Sequence, residues 1–137
     1  MTARVFFDTN VLVYAAVGTG RDERKRRRAL ELIESEDFGT SAQVLQEFFV
    51  TVVKKASRPL SAAQALEWIE QWAAFPCQAN DHQLVRIAVE QSARYMISYW
   101  DAAILAAAEA LGAQTVYSED LSEGRQYGGV RVVNPFS

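Results

Sequence analysis

The chain has 137 residues, of which half are hydrophobic and 23% are charged, and its formal net charge is −3. This length suits one domain (residues 1–137) with its own core, and the composition excludes both a disordered chain and a general polycation that binds nucleic acid by charge alone. The N-terminus lacks the apolar stretch of a signal peptide and no segment offers the roughly 20 apolar residues that span a membrane, so we expect a cytoplasmic protein.

The first half of the chain alternates short apolar runs with amphipathic segments. In chain order, the predicted elements are a strand at residues 4–7, a helix at Val11–Ala16, a helix at Glu23–Glu36, a strand at Phe38–Thr40 and a helix that is capped by Ser41 and ends at Lys55. Glycines at positions 18 and 20 separate the first two helices.

The second half continues the alternation. Its predicted elements are a helix opened by the capping box Ser61–Gln64 and carrying Leu66, Ile69 and Trp72 on one face, a strand at Phe75–Ala79, helices at His82–Tyr95 and Ser98–Leu111, and strands at Thr115–Tyr117 and Val130–Val133. Strands that alternate with helices predict the α/β class. We expect a three-layer α/β/α sandwich around a mainly parallel sheet.

Four acidic residues occupy similar places in this order. Asp8 follows the first strand and Asp120 comes just after the run Thr115–Tyr117, while Glu47 and Asp101 lie in the first turns of apolar helices. On a parallel α/β sheet, these places can meet at one edge, where such folds put their sites. A cluster of like charges is costly unless a cation neutralises it, and a hard divalent cation does so well. The pattern therefore predicts a metal-dependent enzyme.

Each acid also has a purely structural interpretation, which stays open at this point. Asp8 and Asn10 both suit the N-cap of a helix. Asp101 stands three residues after Ser98, which is the spacing of a loose capping box. Asp120 lies in a polar stretch that favours turns. The metal interpretation depends on all four acids rather than on any one of them.

Other active-site chemistries find less support. His82 is the only histidine, is expected at the surface and has no paired nucleophile, which disfavours a Ser-His-Asp or Cys-His mechanism. Cys77 is the only cysteine, which excludes an intrachain disulfide and a zinc site of several cysteines. The glycines at 124, 128 and 129 do not join a strand to a helix, so they form no phosphate loop.

Four segments of the chain carry a family resemblance. They are, in order, Phe7–Leu12, Ser41–Phe48, Ser98–Ile104 and Tyr117–Leu121, and they are followed by a closing segment at Val130–Phe136. In order and spacing they resemble a PIN-domain ribonuclease, and specifically the VapC toxins of bacterial type II toxin–antitoxin pairs. The similarity covers essentially the whole chain.

The resemblance implies roles for the acids. Asp8, Glu47 and Asp101 would be the three near-invariant carboxylates, and Asp120 the more variable fourth, with the adjacent Glu119 as the other choice. Asp8, Asp101 and Asp120 would hold one or two Mg²⁺ or Mn²⁺ ions, and Glu47 would complete the cluster or orient the nucleophile. Small polar residues that support the carboxylates in the family would correspond to Asn10, Ser41 and Ser118.

It also implies a substrate and partners. The expected activity is hydrolysis of single-stranded or loop RNA that leaves a 5′-phosphate and a 3′-hydroxyl. The expected partners are a second copy of the chain and a small, partly disordered antitoxin that inserts a basic side chain towards the acids. The aromatic side chains on two neighbouring helices independently favour a homodimer; they are Phe48, Phe49, Trp68 and Trp72.

The basic residues have two open interpretations. Six of the fourteen lie between Arg21 and Arg28. They either guide the RNA backbone or form a solvated face paired with Glu31 and Glu34.

The sequence leaves two alternatives to a toxin open and disfavours two others. A PIN-type nuclease of RNA processing and a non-catalytic interaction module of the same fold both remain open. A phospho-acceptor switch domain is disfavoured because Asp8 lacks an acidic neighbour and no lysine follows Lys55. A phosphatase of the haloacid-dehalogenase type would need an aspartate where Asn10 stands.

Overall fold

The computed structural model describes residues 1–137, which form six strands and six α-helices. The strands are β1 (Val5–Phe7), β2 (Phe38–Ser41), β3 (Cys77–Gln78), β4 (Thr115–Tyr117), β5 (Gln126–Tyr127) and β6 (Val130–Val133). The helices are α1 (Thr9–Val17), α2 (Glu23–Ser35), α3 (Ala42–Val50), α4 (Ala62–Trp72), α5 (His82–Tyr95) and α6 (Tyr99–Ala110). A 3-10 turn at Gly20–Asp22 precedes α2, and a π-helical turn at Thr51–Lys55 follows α3.

The strands form one sheet in the order β3-β2-β1-β4-β6-β5. Every neighbouring pair is parallel except β5 and β6, which are antiparallel. Helices lie on both sides, which confirms the predicted α/β/α sandwich with a mainly parallel sheet. Since β1, β2 and β4 run in the same direction, the residues that follow them meet at one edge of the sheet.

The helices divide into two groups by their contacts. Helix α6 contacts β2, β3, β4 and β6, and α5 packs against it. Its residues 102–108 are all buried, because alanines let the helix approach the sheet closely. Helix α1 contacts α2 and α3, and α3 contacts α4. None of these helices is both long and apolar enough to cross a membrane.

Helix starts follow the capping residues that the sequence predicted. Ser41 Oγ accepts from the Val44 amide and Ser98 Oγ accepts from the Asp101 amide. At Ser61 both hydrogen bonds of a capping box are present, because Gln64 returns a bond to the Ser61 amide. These bonds satisfy amides that have no partner inside the helix.

Some predicted elements differ from the observed ones. The strand predicted at Phe75–Ala79 is observed only as β3. Pro76, directly before β3, has no amide hydrogen to donate to a neighbouring strand, although its carbonyl accepts from the Thr40 amide at 2.9 Å. The helix predicted to end at Lys55 is α-helical only to Val50 and continues as the π-helical turn. The strand β5 was not predicted.

The predicted aromatic surface is smaller than expected. Phe48 and Trp72 are buried within the chain, where their rings meet edge to face. Trp68 is half-buried against Trp72, and Phe49 alone of the four counts as exposed. Leu66, expected on the packed face of α4, is 52% exposed, and Ala65 is buried there instead.

Candidate active site

Asp8 lies at the centre of the acidic edge of the sheet. It follows β1, caps α1 and is 7% exposed. One carboxylate oxygen accepts from the Thr9 amide at 2.7 Å, and the other accepts from the Ser118 hydroxyl at 2.7 Å. Capping and clustering are therefore compatible roles for Asp8, because each uses a different part of the same carboxylate.

The loop after β4 reaches Asp8 through Ser118. Ser118 is fully buried, and its Oγ accepts from the amides of Asp120 and Leu121 at 3.1 and 3.2 Å. Asn10 Nδ2 donates to Ser118 Oγ at 3.4 Å and to Asp120 Oδ2 at 3.2 Å. Asn10 and Ser118 thus connect Asp8 to Asp120 by hydrogen bonds.

Glu47 is held beside this group by two side chains that the sequence did not single out. The Thr9 hydroxyl donates to Glu47 Oε2 at 2.9 Å, and Gln43 Nε2 donates to Oε1 at 3.1 Å. The same Gln43 nitrogen donates to the Trp100 carbonyl at 3.3 Å, which ties α3 to the first turn of α6. Asp101 follows Trp100 directly. Gln43 precedes Glu47 by four residues on one helix face, and this spacing was the available signal.

Burial and the charges of Asp120 and Glu47 raise the pKa of the other two acids. Burial raises the pKa of Asp8 to about 6, and the charges of Asp120 and Glu47 add to this rise against the lowering hydrogen bonds from Ser118 and Thr9. Burial also raises the pKa of Asp101, again with Asp120 and Glu47 contributing. No lysine or arginine forms an ion pair with any of the four acids.

The donor set suits a hard cation. Its ligating atoms are carboxylate oxygens, which Mg²⁺ and Mn²⁺ prefer, and their mutual repulsion has no basic side chain to relieve it. No three of the acids already surround a common point as a metal site. Glu47, Asp101 and Asp120 are less buried than Asp8.

Glu119 is turned to other partners. Its Oε1 accepts from the Tyr14 hydroxyl and its Oε2 accepts from Lys25 Nζ at 2.9 Å. Lys25 also donates to the Tyr14 oxygen at 3.2 Å. Of the two candidates for the fourth acid, it is therefore Asp120 that shares hydrogen bonds with the site.

Ser41 and the basic segment lie apart from the carboxylates. Ser41 caps α3 and so supports Glu47 only through the helix that carries it. In the basic segment, Lys25 is paired with Glu119, Arg26 and Arg27 with Glu23, and Arg28 with Glu31. Glu34, the other expected partner, forms no ion pair.

A cleft of about 600 Å³ opens beside the acids. Its lining includes Asn10, Glu47 and Asp120 on the acidic side and Val50 and Lys55 further along. A cleft at the carboxyl ends of parallel strands is where α/β folds bind ligands.

Comparisons with known proteins show the family and the fold of the chain. The sequence model of one family, described as the PIN domain, matches residues 5–122. No curated protein matches the chain.

Solved structures share the fold at low sequence identity. A chain of a toxin–antitoxin complex from Klebsiella pneumoniae superimposes with a TM-score of 0.71 at 20% identity, over 96% of this chain and 98% of that one. The Mycobacterium tuberculosis toxin VapC20, described as cleaving the sarcin-ricin loop, gives a TM-score of 0.65 at 22% identity over 85% of this chain and 89% of that one. A chain of DNA-bound VapBC from Salmonella typhimurium gives 0.61 at 20% identity, over 96% of this chain and 97% of that one.

Proposed function

This chain belongs to the PIN-domain family, and on that premise we propose that it is a metal-dependent endoribonuclease, the toxin of a toxin–antitoxin pair. One observation carries the proposal. Asp8, Glu47, Asp101 and Asp120 come from four segments, burial and the charges of Asp120 and Glu47 raise the pKa of Asp8 and Asp101, and none of the four acids forms an ion pair with a basic side chain. A protein maintains such repulsion at a cost in stability, which a bound cation would offset.

The proposed roles of the acids differ with how deeply each one is buried. Asp8 is fixed by Thr9 and Ser118, so it provides a rigid ligand for a cation. Asp101 and Asp120 approach from α6 and from the loop after β4, and they would hold one or two Mg²⁺ or Mn²⁺ ions with it. Such an ion, when bound, neutralises charge on the attacked phosphate and lowers the pKa of a coordinated water.

Glu47 has a different position from the other acids. It is exposed at the cleft, and Thr9 and Gln43 each donate to one of its oxygens. Held in this way, Glu47 orients the attacking water towards the phosphorus and completes the cluster. Hydrolysis would leave a 5′-phosphate on one RNA fragment and a 3′-hydroxyl on the other.

Two substitutions test the enzyme proposal. Asp8→Asn and Asp101→Asn each delete a ligand, so both should abolish cleavage of RNA in the presence of Mg²⁺ or Mn²⁺, as chelation with EDTA should in the wild type. Asp81→Asn is the matched control, because Asp81 caps α5 outside the cluster and asparagine caps equally well. If Asp8→Asn cleaved at the wild-type rate with contaminating ribonuclease excluded, the proposed role of Asp8 would be wrong.

The toxin role carries two further expectations. Several similar structures are toxin–antitoxin assemblies, so we propose a small antitoxin as the inhibitor and a homodimer as the assembled form. Exposed apolar side chains remain available for association, among them Phe49, Val50, Leu66 and Trp100.

Each expectation has its own experiment. Light scattering at protein concentrations on the order of tens of micromolar should report a dimer, and a monomer would contradict it. Co-expression with the adjacent reading frame should restore growth and yield a complex. If it does neither while the purified chain cleaves RNA, a PIN-type nuclease of RNA processing is the better description.

A further inference from the structure

The cleft beside the acids continues into a second cavity. The first, of about 600 Å³, contains Glu47 and Asp120, and the second, of about 690 Å³, lies between the end of α1 and the segment after the π-helical turn. Four residues line both cavities: Val13, Tyr14, Thr51 and Lys55. The two therefore form one groove that starts at the carboxylates, which we call the basic groove.

The second cavity, which is the part of the groove further from the acids, is positively charged. Arg21 lines it from the 3-10 turn, and Lys55 and Arg58 line it from the end of the π-helical turn and the residues after it. Asp22 is its only carboxylate, which leaves a net charge of +2. The chain as a whole carries −3. Positive charge is therefore concentrated where the groove leaves the acidic site.

These three cations also lack partners within the chain. Arg21, Lys55 and Arg58 are exposed, and none of them takes part in an ion pair or donates a side-chain hydrogen bond. In the segment after Arg21, by contrast, Lys25, Arg26, Arg27 and Arg28 are all engaged by carboxylates. The cations that line the groove are therefore free to bind a ligand, as are several others elsewhere on the surface.

The π-helical turn contributes to this placement. Thr51 and Lys55 are its first and last residues, and the Thr51 carbonyl accepts from the Ala56 amide at 3.1 Å. Both residues line both cavities. π-Helical turns are rare and frequently occur at functional sites.

We propose that the basic groove holds the phosphodiester backbone of the RNA on one side of the scissile bond, with Lys55 nearest the acids and Arg21 and Arg58 further out. The inference rests on the proposed ribonuclease function, which requires a polyanion to approach an acidic cluster. Each phosphate next to the scissile one is repelled by those acids, and a cation beside it offsets the repulsion. Lysine and arginine contacts to phosphate position the chain without reading its sequence.

Binding and cleavage together test the groove. The variants are Lys55→Ala, Arg58→Ala and Arg21→Ala, and the control is Lys54→Ala, which removes an exposed lysine from the same π-helical turn but outside the groove. Binding is measured by fluorescence anisotropy with a labelled single-stranded RNA about 20 nucleotides long, of random sequence, at several salt concentrations in an Asp101→Asn background. Cleavage is measured in the wild-type background.

Each groove variant should weaken RNA binding roughly tenfold at low salt, the loss expected for one charge-assisted contact. The slope of log Kd against log salt should fall by about 0.7 per lost contact with single-stranded RNA. In cleavage, KM should rise while kcat changes little, because these residues bind substrate and product-like phosphates away from the reacting atoms. Lys54→Ala should match its parent in both assays.

The outcomes separate this inference from the proposed function. If the groove variants bind RNA like Lys54→Ala, the groove is not the RNA path even when the wild type cleaves. The groove is also not the RNA path if the same substitutions leave RNA binding unchanged and weaken only a complex with a protein partner. If the wild type fails to cleave but the groove variants lose RNA affinity, the ribonuclease proposal fails and the groove stands as an RNA-binding site.

Discussion

Ser118 donates its hydroxyl hydrogen to Asp8 at 2.7 Å and joins the ends of β4 and β1 inside the protein. The same oxygen accepts from the amides of Asp120 and Leu121, so one buried hydroxyl sets the position of two acids. All buried side-chain polar atoms of the chain have a partner, and Ser118 shows how the acidic edge meets that requirement.

Substituting Ser118 should therefore affect stability and catalysis together. Ser118→Ala leaves buried groups without partners, which should cost roughly 1–3 kcal/mol in the free energy of unfolding. Cleavage should also slow, because Asp120 loses the hydrogen bond that orders its loop. Urea unfolding and RNA cleavage measure the two effects. Ser122→Ala, at an exposed position in the same loop, is the control, and equal behaviour of both variants would show that Ser118 does not organise the site.

The ionisation of Asp8 should make the stability of the metal-free protein depend on pH. Its pKa is raised from 3.8 to about 6, so the native state holds this proton more tightly than the unfolded state does. The free energy of unfolding is therefore highest below the pKa of the unfolded state. It falls by about 3 kcal/mol in total as the pH rises towards the pKa of the folded state. In Asp8→Asn this decrease in stability with pH should be absent, because asparagine does not ionise.

Urea unfolding in EDTA between pH 4 and 7 checks this prediction. The difference in unfolding free energy, Asp8→Asn minus wild type, should grow with pH across this window and level off above pH 6. Parallel pH profiles of the two proteins would mean that Asp8 is not strained by its burial.

A divalent cation should stabilise the protein by neutralising the buried and clustered acids. An ion that binds only the native state adds about 2.7 kcal/mol to the unfolding free energy at 100 times its Kd. Mg²⁺ or Mn²⁺ should therefore raise the Tm of the wild type, and the shift should be largely absent in Asp8→Asn and Asp101→Asn. Differential scanning fluorimetry measures it, with Asp81→Asn as the control. An equal shift in all four proteins would place the cation elsewhere.

Substitutions of Asp120 and of Glu119 should have different effects on RNA cleavage. Asp120→Asn removes a proposed ligand, so it should slow cleavage by at least the roughly 10- to 100-fold that the loss of a residue supporting a metal ligand costs. Glu119→Gln keeps an acceptor for Tyr14 and loses only the charge opposite Lys25, so it should cost at most about 1 kcal/mol of stability for this partly exposed pair. Steady-state cleavage by the two variants decides between them, and a larger defect in Glu119→Gln would reverse the assignment.

The sequence by itself determined the features that are local. Helix starts at Ser41, Ser61 and Ser98 followed from capping chemistry, because a cap involves only residues three positions apart. The alternation of strands and helices predicted the sandwich for the same reason, since hydrophobic periodicity is a property of each segment. The sequence also predicted that the residues after β1 and β4 lie at one edge of a parallel sheet.

Short elements were predicted less well. Strand β5 has only two residues, and its pairing with β6 depends on a turn in which Gly128 adopts a positive φ of 59°. The pair Gly128-Gly129 was a hairpin signal in the sequence. Two residues provide too little periodicity to show a strand without its partner.

Only the tertiary structure decided which polar groups meet. Thr9 reaches Glu47 across 38 positions of sequence, Ser118 reaches Asp8 across 110, and Lys25 draws Glu119 away while Asn10 holds Asp120. Adjacent acids at 119 and 120 look alike in a sequence, because their environments are set by helices distant along the chain. A carboxylate's partners and burial fix its pKa and its role, and both arise only when the segments pack.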